Sequence, residues 1–233
     1  MYIYGKNVAK EKINSGEKIN KIYLADKFND RDIMNLIKEK KIKYNIVPIK
    51  YLDNKVDGLH QGIVLEVDDV ETYDFDYLKT IKKDNPILVM LDHLEDPHNF
   101  GAIIRTCEAL GIDGIIIPND RNVGINATVV KTSAGSIYNM PIIRVANLSA
   151  SINKLKDMGY WIVGTDMDGE NYTEIDYNMP ICLVIGNEGK GMSKVIGDNC
   201  DFIAKIPMIG KINSLNASVS CGIVLANIVA SRK

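Results

Sequence analysis

The chain has 233 residues, enough for two domains, and its 46% hydrophobic and 25% charged residues are typical of a globular protein. No apolar run approaches the roughly 20 residues that span a bilayer, and the four cysteines are widely spaced without a CxxC pair, so the sequence predicts a soluble, cytoplasmic protein with no membrane segment, disulfide framework or metal site. The net charge of −2 divides unevenly: residues 1–67 hold 13 Lys/Arg and 9 Asp/Glu, a net of +4, which leaves 15 and 21, a net of −6, for the remainder. A basic front part indicates a polyanionic partner.

Residues 1–67 alternate between helical and extended patterns. They predict a helix over about 7–15, a helix that begins after Asp30, and three strands with the sequences KINKIYLA, YNIVPI and GIVLEV. We expect a small α/β domain here. Residues 68–84 are acidic, then basic, and lack strong periodicity, which predicts a linker with at most a short helix.

Residues 85–233 alternate short apolar runs with helical patterns. The runs lie at 87–92, 114–118, 141–145, 160–166, 181–186 and 202–207, and the helices at about 100–111, 125–135, 148–158, 192–199 and 217–231. Apolar runs without alternation are typical of strands buried on both faces of a parallel sheet. The sequence therefore predicts an α/β domain with ligand loops at the carboxyl ends of its strands.

The first polar segment follows the strand over 87–92. It packs acidic, histidine and asparagine side chains into a few residues before a helix that begins near Asn99 and carries Arg105. Asn99 is either a helix cap or a site residue, and Arg105 is either solvated or functional.

The second polar segment, VIGNEGKGM (184–192), is a glycine loop between a strand and a helix. It offers backbone N–H groups to a ligand. It matches neither the G-x-x-x-x-G-K-[ST] nor the G-x-G-x-x-G pattern, and Glu188 would repel phosphate, so a nucleoside triphosphate or dinucleotide is disfavoured.

The third polar segment places Ser214, Leu215 and Asn216 at the start of a helix rich in Ala, Ser and Gly. Ser214 and Asn216 are either caps or site residues. The small side chains predict close approach of another backbone, at a ligand site or a subunit contact. No Ser/His/Asp or Cys/His nucleophile set is evident in the sequence.

These three segments together resemble the SpoU family of SPOUT-class RNA methyltransferases. The matching patterns are NxxGxxxRT at 99–106, VIGNEGKGM at 184–192 and IPMxGxxxSLNxSV from 206 onward. The front part, through YGKNVAKEKI and the run from Leu59 to Gly62, resembles the substrate-binding domain of bacterial enzymes that methylate a guanosine ribose in 23S rRNA.

The resemblance implies a small RNA substrate-binding domain (1–67), a linker (68–84) and an α/β SPOUT domain with a trefoil knot (85–233). It also implies a homodimer that methylates ribose 2′-hydroxyls with S-adenosylmethionine. The implied cofactor-binding residues are Thr165, Gly186, Ile206, Met208 and Leu215. The implied catalytic residues are Asn99, Arg105, Glu188, Ser214 and Asn216.

Several alternatives stay open. The RNA target is 23S rRNA, a tRNA or the rRNA target of a resistance methyltransferase. A nucleotide-binding protein and a non-catalytic ribosome-assembly factor are the rival functions. The candidate RNA contacts in the front domain are Lys6, Lys10, Lys12, Lys18, Lys21, Arg31, His60 and Gln61; a solvated charged face, or for His60 and Gln61 a structural turn, is the alternative.

Overall fold

The computed structural model describes residues 1–16, 18–211 and 214–232. The chain divides into two compact units, a smaller one of residues 1–70 with 125–131 and a larger one of residues 71–124 with 132–233. Ile212 and Asn213, which belong to the third motif, lie outside the described residues.

The smaller unit is a four-stranded mixed sheet with helices, as the α/β patterns predicted. Its elements in chain order are β1 (Tyr2–Tyr4), α1 (Lys6–Ser15), β2 (Lys21–Ala25), α2 (Arg31–Glu39), β3 (Tyr44–Val47), α3 (Ile49–Asp53) and β4 (Ile63–Glu66). The strand order is β1-β4-β2-β3, with β2 and β3 parallel and β4 antiparallel to both β1 and β2. The sequence missed β1 and α3, because segments of three and five residues are too short to show a period.

The Asp30 cap forms as expected. The Asp30 carboxylate accepts a hydrogen bond from the backbone N–H of Ile33 at 3.2 Å, which satisfies one of the free donors of the first turn of α2. That bond is the main cause of a lowered Asp30 pKa, and Lys6 adds to it.

Residues 71–84 pack on the larger unit. Tyr73 forms a bridge with Ile143, a 3-10 helix spans Phe75–Thr80, and Leu78 is buried in the larger unit's core. The expected short helix in this stretch is therefore present, and its apolar side is covered. The domain limits 1–67, 68–84 and 85–233 stay a prediction.

The larger unit contains a six-stranded sheet whose neighbouring strands are all parallel. Its elements are β5 (Ile87–Leu91), α4 (Pro97–Ala109), β6 (Gly114–Pro118), β7 (Ile142–Val145), α6 (Leu148–Asp157), β8 (Trp161–Asn171), β9 (Ile181–Ile185), α7 (Lys194–Gly197), β10 (Phe202–Lys205) and α8 (Ala217–Ser231). A short helix, α5 (Ala127–Thr132), lies between β6 and β7 in the chain, mostly within the smaller unit's second segment. The strand order is β10-β8-β9-β5-β6-β7, so the predicted parallel α/β sheet is confirmed.

Every residue of β5, β6 and β9 is buried, which explains their unbroken apolar sequences. Leu88 and Met90 of β5 join Ile152 of α6 in one buried cluster. On the helical side, α8 packs against both α4 and β9. These contacts place the starts of α4 and α8 beside the ends of the central strands. The trefoil knot stays a prediction.

Among the described residues, none of the helices combines the length and apolar character needed to cross a bilayer.

Candidate active site

The three polar segments meet at one edge of the larger unit's sheet. The segments follow β5, β9 and β10, and β8 pairs in parallel with both β9 and β10. Loops at the carboxyl ends of neighbouring parallel strands come together, and this edge is where open α/β sheets bind ligands.

Asn99 connects the first polar segment to the second. Its side-chain Nδ2 donates a hydrogen bond to Glu188 Oε1 at 2.9 Å, across 89 residues of sequence, and Asn99 is only 5% exposed. Asn99 is not the cap of α4: Asp96 has that place, accepting from the backbone N–H of His98 at 2.9 Å. The capping alternative for Asn99 is therefore wrong, which leaves its side chain to the polar cluster.

Ser218 connects Asn99 to the third segment. Its hydroxyl lies 3.2 Å from Asn99 Oδ1 and 2.6 Å from Asn216 Oδ1, and its single proton is shared between these two acceptors. Asn216 also accepts from the backbone N–H of Ser218 at 2.9 Å and caps α8. Asn216 is thus both a cap and a member of the cluster. We call Glu188, Asn99, Ser218 and Asn216 the polar network.

Ser218 was not among the predicted site residues, although it is a fixed position of the third motif, IPMxGxxxSLNxSV. That position, two residues after Asn216 where a cap and its first-turn partner meet, was the available signal. Its contact with Asn99, 119 residues away, has no local sequence signature.

Asp92 fastens the second segment to the end of β5. Its carboxylate accepts from the backbone N–H of Ser193 at 2.7 Å and lies 2.6 Å from His93 Nδ1, while its own backbone N–H donates to Ile185 O at 2.9 Å. Asp92 is 2% exposed. A buried carboxylate with these partners holds the loop after β9 in one position.

Asn187 shapes the glycine loop itself. Its side-chain oxygen accepts from the backbone N–H groups of Gly189 and Lys190 at 2.9 and 3.2 Å, and its amide nitrogen donates to His93 O at 2.9 Å. The loop that presents Glu188 is therefore held from inside and from the first segment.

Arg105 and Ser214 lie outside the polar network. Both are exposed, and neither side chain forms a hydrogen bond or ion pair with another described residue. Arg105 is six residues beyond Asn99 on α4, about 9 Å along the helix axis. Its guanidinium is free to meet a substrate.

Three of the five expected cofactor-binding residues lie within or directly after β8, β9 and β10, and Met208 and Leu215 lie between β10 and α8. Thr165 lies within β8, Gly186 follows β9, and Ile206 follows β10; the Thr165 hydroxyl donates to Val184 O at 3.1 Å and ties β8 to β9. Met208 and Leu215 are 37% and 39% exposed, and the neighbouring Ile209 is fully exposed.

These residues fit a nucleoside cofactor. A Cβ at Gly186 would overlap the backbone of Gly191 and Met192, so only glycine allows the loop to fold back this closely. The backbone N–H groups of Gly186, Ile206 and Leu215 form no hydrogen bond with another described residue and are available to a ligand. Free backbone donors beside exposed apolar side chains are the surroundings that a purine ring needs. We call this set the cofactor cradle.

Cys107 and Cys182 are buried thiols, not nucleophiles. Burial, and after it the contact with Cys221, raises the pKa of the Cys107 thiol, and burial likewise raises the pKa of Cys182. Buried thiols in this state stay protonated. Among the described residues no three His, Cys, Asp or Glu side chains group as metal ligands do.

We expect Asn99→Asp to lower the free energy of unfolding by about 2 kcal/mol, because it replaces a donor with a second carboxylate facing Glu188. Thermal denaturation at neutral pH measures the loss. The double variant Asn99→Asp with Glu188→Gln restores a donor and an acceptor with their places exchanged, and should recover more than half of the loss. A double variant no more stable than the single one would contradict the Asn99–Glu188 hydrogen bond.

Most of the candidate RNA-binding lysines in the smaller unit are engaged within the protein. Lys6, Lys10 and Lys18 form ion pairs with Asp30, Asp32 and Asp68 at 3.2, 3.2 and 3.0 Å. Lys12 is only 7% exposed, which disfavours it as an RNA contact. Lys21 lies over the Tyr23 ring at 5.3 Å, and Arg31 is exposed.

His60 forms part of a structural turn. Its Nδ1 accepts from the backbone N–H of Gly62 at 3.0 Å, which leaves Nε2 to donate to Asp53 at 2.9 Å, and the residue is 7% exposed. His60 is therefore a residue of a structural turn, the alternative to its being an RNA contact. Gln61 is exposed and has a φ of 52°, and its side-chain oxygen accepts a hydrogen bond from the backbone N–H of Lys6 at 2.8 Å, so it also helps to hold this turn.

Comparisons with known proteins agree with this geometry. Residues 86–226 match the SpoU rRNA methylase family, and residues 2–73 match the domain described as RNA 2′-O ribose methyltransferase substrate binding. YacO of Bacillus subtilis, assigned by name to the TrmH family of tRNA/rRNA methyltransferases, is 42% identical over 99% of this chain and 96% of its own length.

Two solved structures resemble the whole chain. An AdoMet-bound rRNA methyltransferase from Sinorhizobium meliloti is 26% identical, with a TM-score of 0.70 over 97% of this chain and 85% of its own. The SpoU methyltransferase AviRb from Streptomyces viridochromogenes shares the fold, with 22% identity and a TM-score of 0.76 over 99% of this chain and 89% of its own. The chain therefore belongs to the SpoU rRNA methylase family and is an RNA ribose 2′-O-methyltransferase.

Proposed function

We propose that this enzyme methylates the ribose 2′-hydroxyl of a guanosine in 23S rRNA, using S-adenosylmethionine, in the cytoplasm. The observation that carries the proposal is the polar network, because residues from all three motifs meet beside the cofactor cradle.

The bound cofactor would supply a methyl group on a sulfonium, whose thioether leaves without needing a proton. The chain's own residues must then do two things. They must position a ribose hydroxyl, and they must stabilise the oxygen as that hydroxyl loses its proton. We assign the first role to Asn99, Glu188, Ser214 and Asn216. Glu188 and Asn216 hold fixed positions through their contacts in the network.

We assign to Arg105 the stabilisation of the negative charge that develops on the ribose oxygen. A guanidinium is always protonated in proteins and cannot serve as a simple base. Its exposed position, free of any partner among the described residues, suits a group that pairs only with substrate.

We assign cofactor binding to Thr165, Gly186, Ile206, Met208 and Leu215. The backbone N–H groups of Gly186, Ile206 and Leu215 would hold polar edges of the cofactor, and Met208 would cover its apolar face. Thr165 supports the cradle by joining β8 to β9. The S. meliloti and S. viridochromogenes proteins were each solved with AdoMet, which supports the same cofactor for this chain.

The choice of 23S rRNA rests on the smaller unit. Its match to the substrate-binding family model supports RNA binding, and the resemblance of YGKNVAKEKI and of the run Leu59-His60-Gln61-Gly62 to the 23S rRNA guanosine enzymes favours that target. Leu59 and Gln61 are exposed on this turn, and His60 together with the Gln61 side chain holds the turn in place. The relatives' names leave tRNA as the second candidate target.

We also propose that the enzyme acts as a homodimer. Helix α8 contains many small residues and exposes Val219 and Val229, which are 48% and 37% accessible. A helix with small and apolar surface side chains, located beside the polar network, suits contact with a second copy of this chain.

Mapping ribose methylation in cells that lack the gene tests the proposed target. We expect one 23S rRNA guanosine to lose its 2′-O-methyl group, and wild-type protein, but not Arg105→Ala, to restore it. Loss of a tRNA methyl group with intact 23S rRNA would instead assign the enzyme to tRNA. No changed position in either RNA would contradict both targets.

A further inference from the structure

An open cavity of about 370 Å³ lies in the larger unit, at the carboxyl ends of β5, β6 and β7. The cofactor cradle is elsewhere on the same edge, at β8, β9 and β10. The side chains that give the cavity its chemistry are His93, Asp120, Arg121, Ser149, Ser193 and Val195. Its volume is within the range of about 300–1,000 Å³ that small-molecule sites occupy.

His93 is held in the cavity wall by the buried Asp92. The Asp92 carboxylate lies 2.6 Å from His93 Nδ1, so Nε2 is the ring atom left for a ligand. The backbone of His93 has a φ of 59°, and that of Arg121, also in the wall, has a φ of 55°. Left-handed residues other than glycine are uncommon and often accompany binding sites.

The cavity wall combines the permanently charged guanidinium of Arg121, the carboxylate of Asp120 and an apolar surface. Arg121 and Asp120 form no ion pair with another described residue, so both charges are available. Pro118, Val195 and Ile196 supply the apolar part of the wall. A guanidinium binds phosphate, a carboxylate accepts from the amino edge of a base, and an apolar wall covers a base plane.

The cavity shares its walls with the candidate active site. Asn187, which shapes the loop of Glu188, donates to His93 O at 2.9 Å, and Ser193 at the end of the same loop donates its N–H to Asp92 at 2.7 Å. The cavity therefore borders the loop that presents Glu188 to the candidate active site.

We propose that this cavity binds one nucleotide of the RNA substrate, unstacked from its neighbours and adjacent in the chain to the methylated ribose. Arg121 contacts its phosphate, Asp120 the amino edge of its base, and Val195 its base plane. This inference rests on the RNA methyltransferase function. Protein recognition of RNA sequence commonly uses bases that are splayed out in this way.

Equilibrium binding of total RNA from cells lacking the gene, over a series of salt concentrations, tests the Arg121 contact. Arg121→Gln should weaken binding about 5–10-fold and reduce the salt slope by about one ion. Lys82→Gln removes an exposed cation of the same unit that lies away from the cavity, and should change affinity less than about 2-fold. Unchanged RNA affinity in Arg121→Gln would overturn the proposal, and so would an equal loss of S-adenosylmethionine affinity, which would assign the cavity to the cofactor.

Cross-linking in otherwise wild-type protein provides a second measurement that does not depend on Arg121. A photoreactive phenylalanine at position 195, in the cavity wall, should cross-link to RNA. The same residue at position 158, just past the far end of α6 and about 15 Å from its start, should not. Equal cross-linking at both positions, or none at 195, would overturn the proposal. Because total RNA is the probe, a tRNA product would refute the 23S rRNA target and leave this result intact.

Discussion

Arg105→Ala is expected to lower the rate constant of methyl transfer at least 100- to 1,000-fold, which corresponds to about 3–4 kcal/mol of lost stabilisation. The cause is the loss of the one exposed cation that α4 places near the polar network. Because the exposed Arg105 side chain forms no hydrogen bond or ion pair with another described residue, the fold and the cofactor cradle should not change. Single-turnover transfer of a tritiated methyl group to RNA measures the rate, and calorimetry with S-adenosylmethionine measures the affinity.

Glu108→Gln is the matched control for Arg105, because Glu108 is exposed on the same helix one turn later. It should retain nearly full activity. Arg105→Lys should also be poor, because an ammonium cannot form the planar, two-point contact of a guanidinium. Substantial turnover by Arg105→Ala would refute the assigned role, and a parallel loss of cofactor affinity would show that Arg105 acts in binding instead.

The sheet of the larger unit was predictable because its buried strands have a simple sequence pattern. Strands buried on both faces must be apolar throughout, and β5, β6 and β9 are apolar at every position and buried at every position. The bounds of β8 were less predictable. Its second half, to Asn171, is exposed and polar, and it is a strand only because β10 pairs with it.

The site was predictable to the extent that its residues carry motifs. Asn99, Glu188 and Asn216 were expected together, and the structure joins them through Ser218. Their roles in catalysis stay a prediction. Ser218, Asp92 and Asn187 were not expected as site residues. Each acts by holding another group in place, and the contacts of Asp92 and Ser218 span 101 and 119 residues of sequence.

The RNA contacts of the smaller unit could not be predicted from its charged residues. A count of lysines indicated a polyanion partner, yet several of those lysines pair with nearby aspartates. Net charge reports the field of a domain, whereas contact residues depend on which side chains remain unpaired. Arg31, which is exposed and forms no ion pair with another described residue, is accordingly a better candidate for RNA contact than Lys12 or His60.

Gly186→Ala is expected to weaken S-adenosylmethionine binding at least 100-fold, close to 3 kcal/mol. The added Cβ would overlap the carbonyl carbon of Gly191 and the backbone nitrogen of Met192, and backbone atoms cannot move aside as a flexible side chain can. The loop must therefore open, which shifts both the cradle and the Glu188 contact with Asn99.

Gly189→Ala is the control for this prediction, since its Cβ would lie 3.7 Å from Asn187 Oδ1, an ordinary contact in the same loop. Calorimetric titration of both variants should show near-normal affinity for Gly189→Ala and almost none for Gly186→Ala, with thermal denaturation confirming that both are folded. Equal affinity in the two variants would mean that the close approach at Gly186 does not shape the cofactor site. Gly186 and Glu188 lie in one loop. The loop conformation that binds the cofactor therefore also positions the Glu188 carboxylate, so a change that disrupts cofactor binding should also displace the carboxylate.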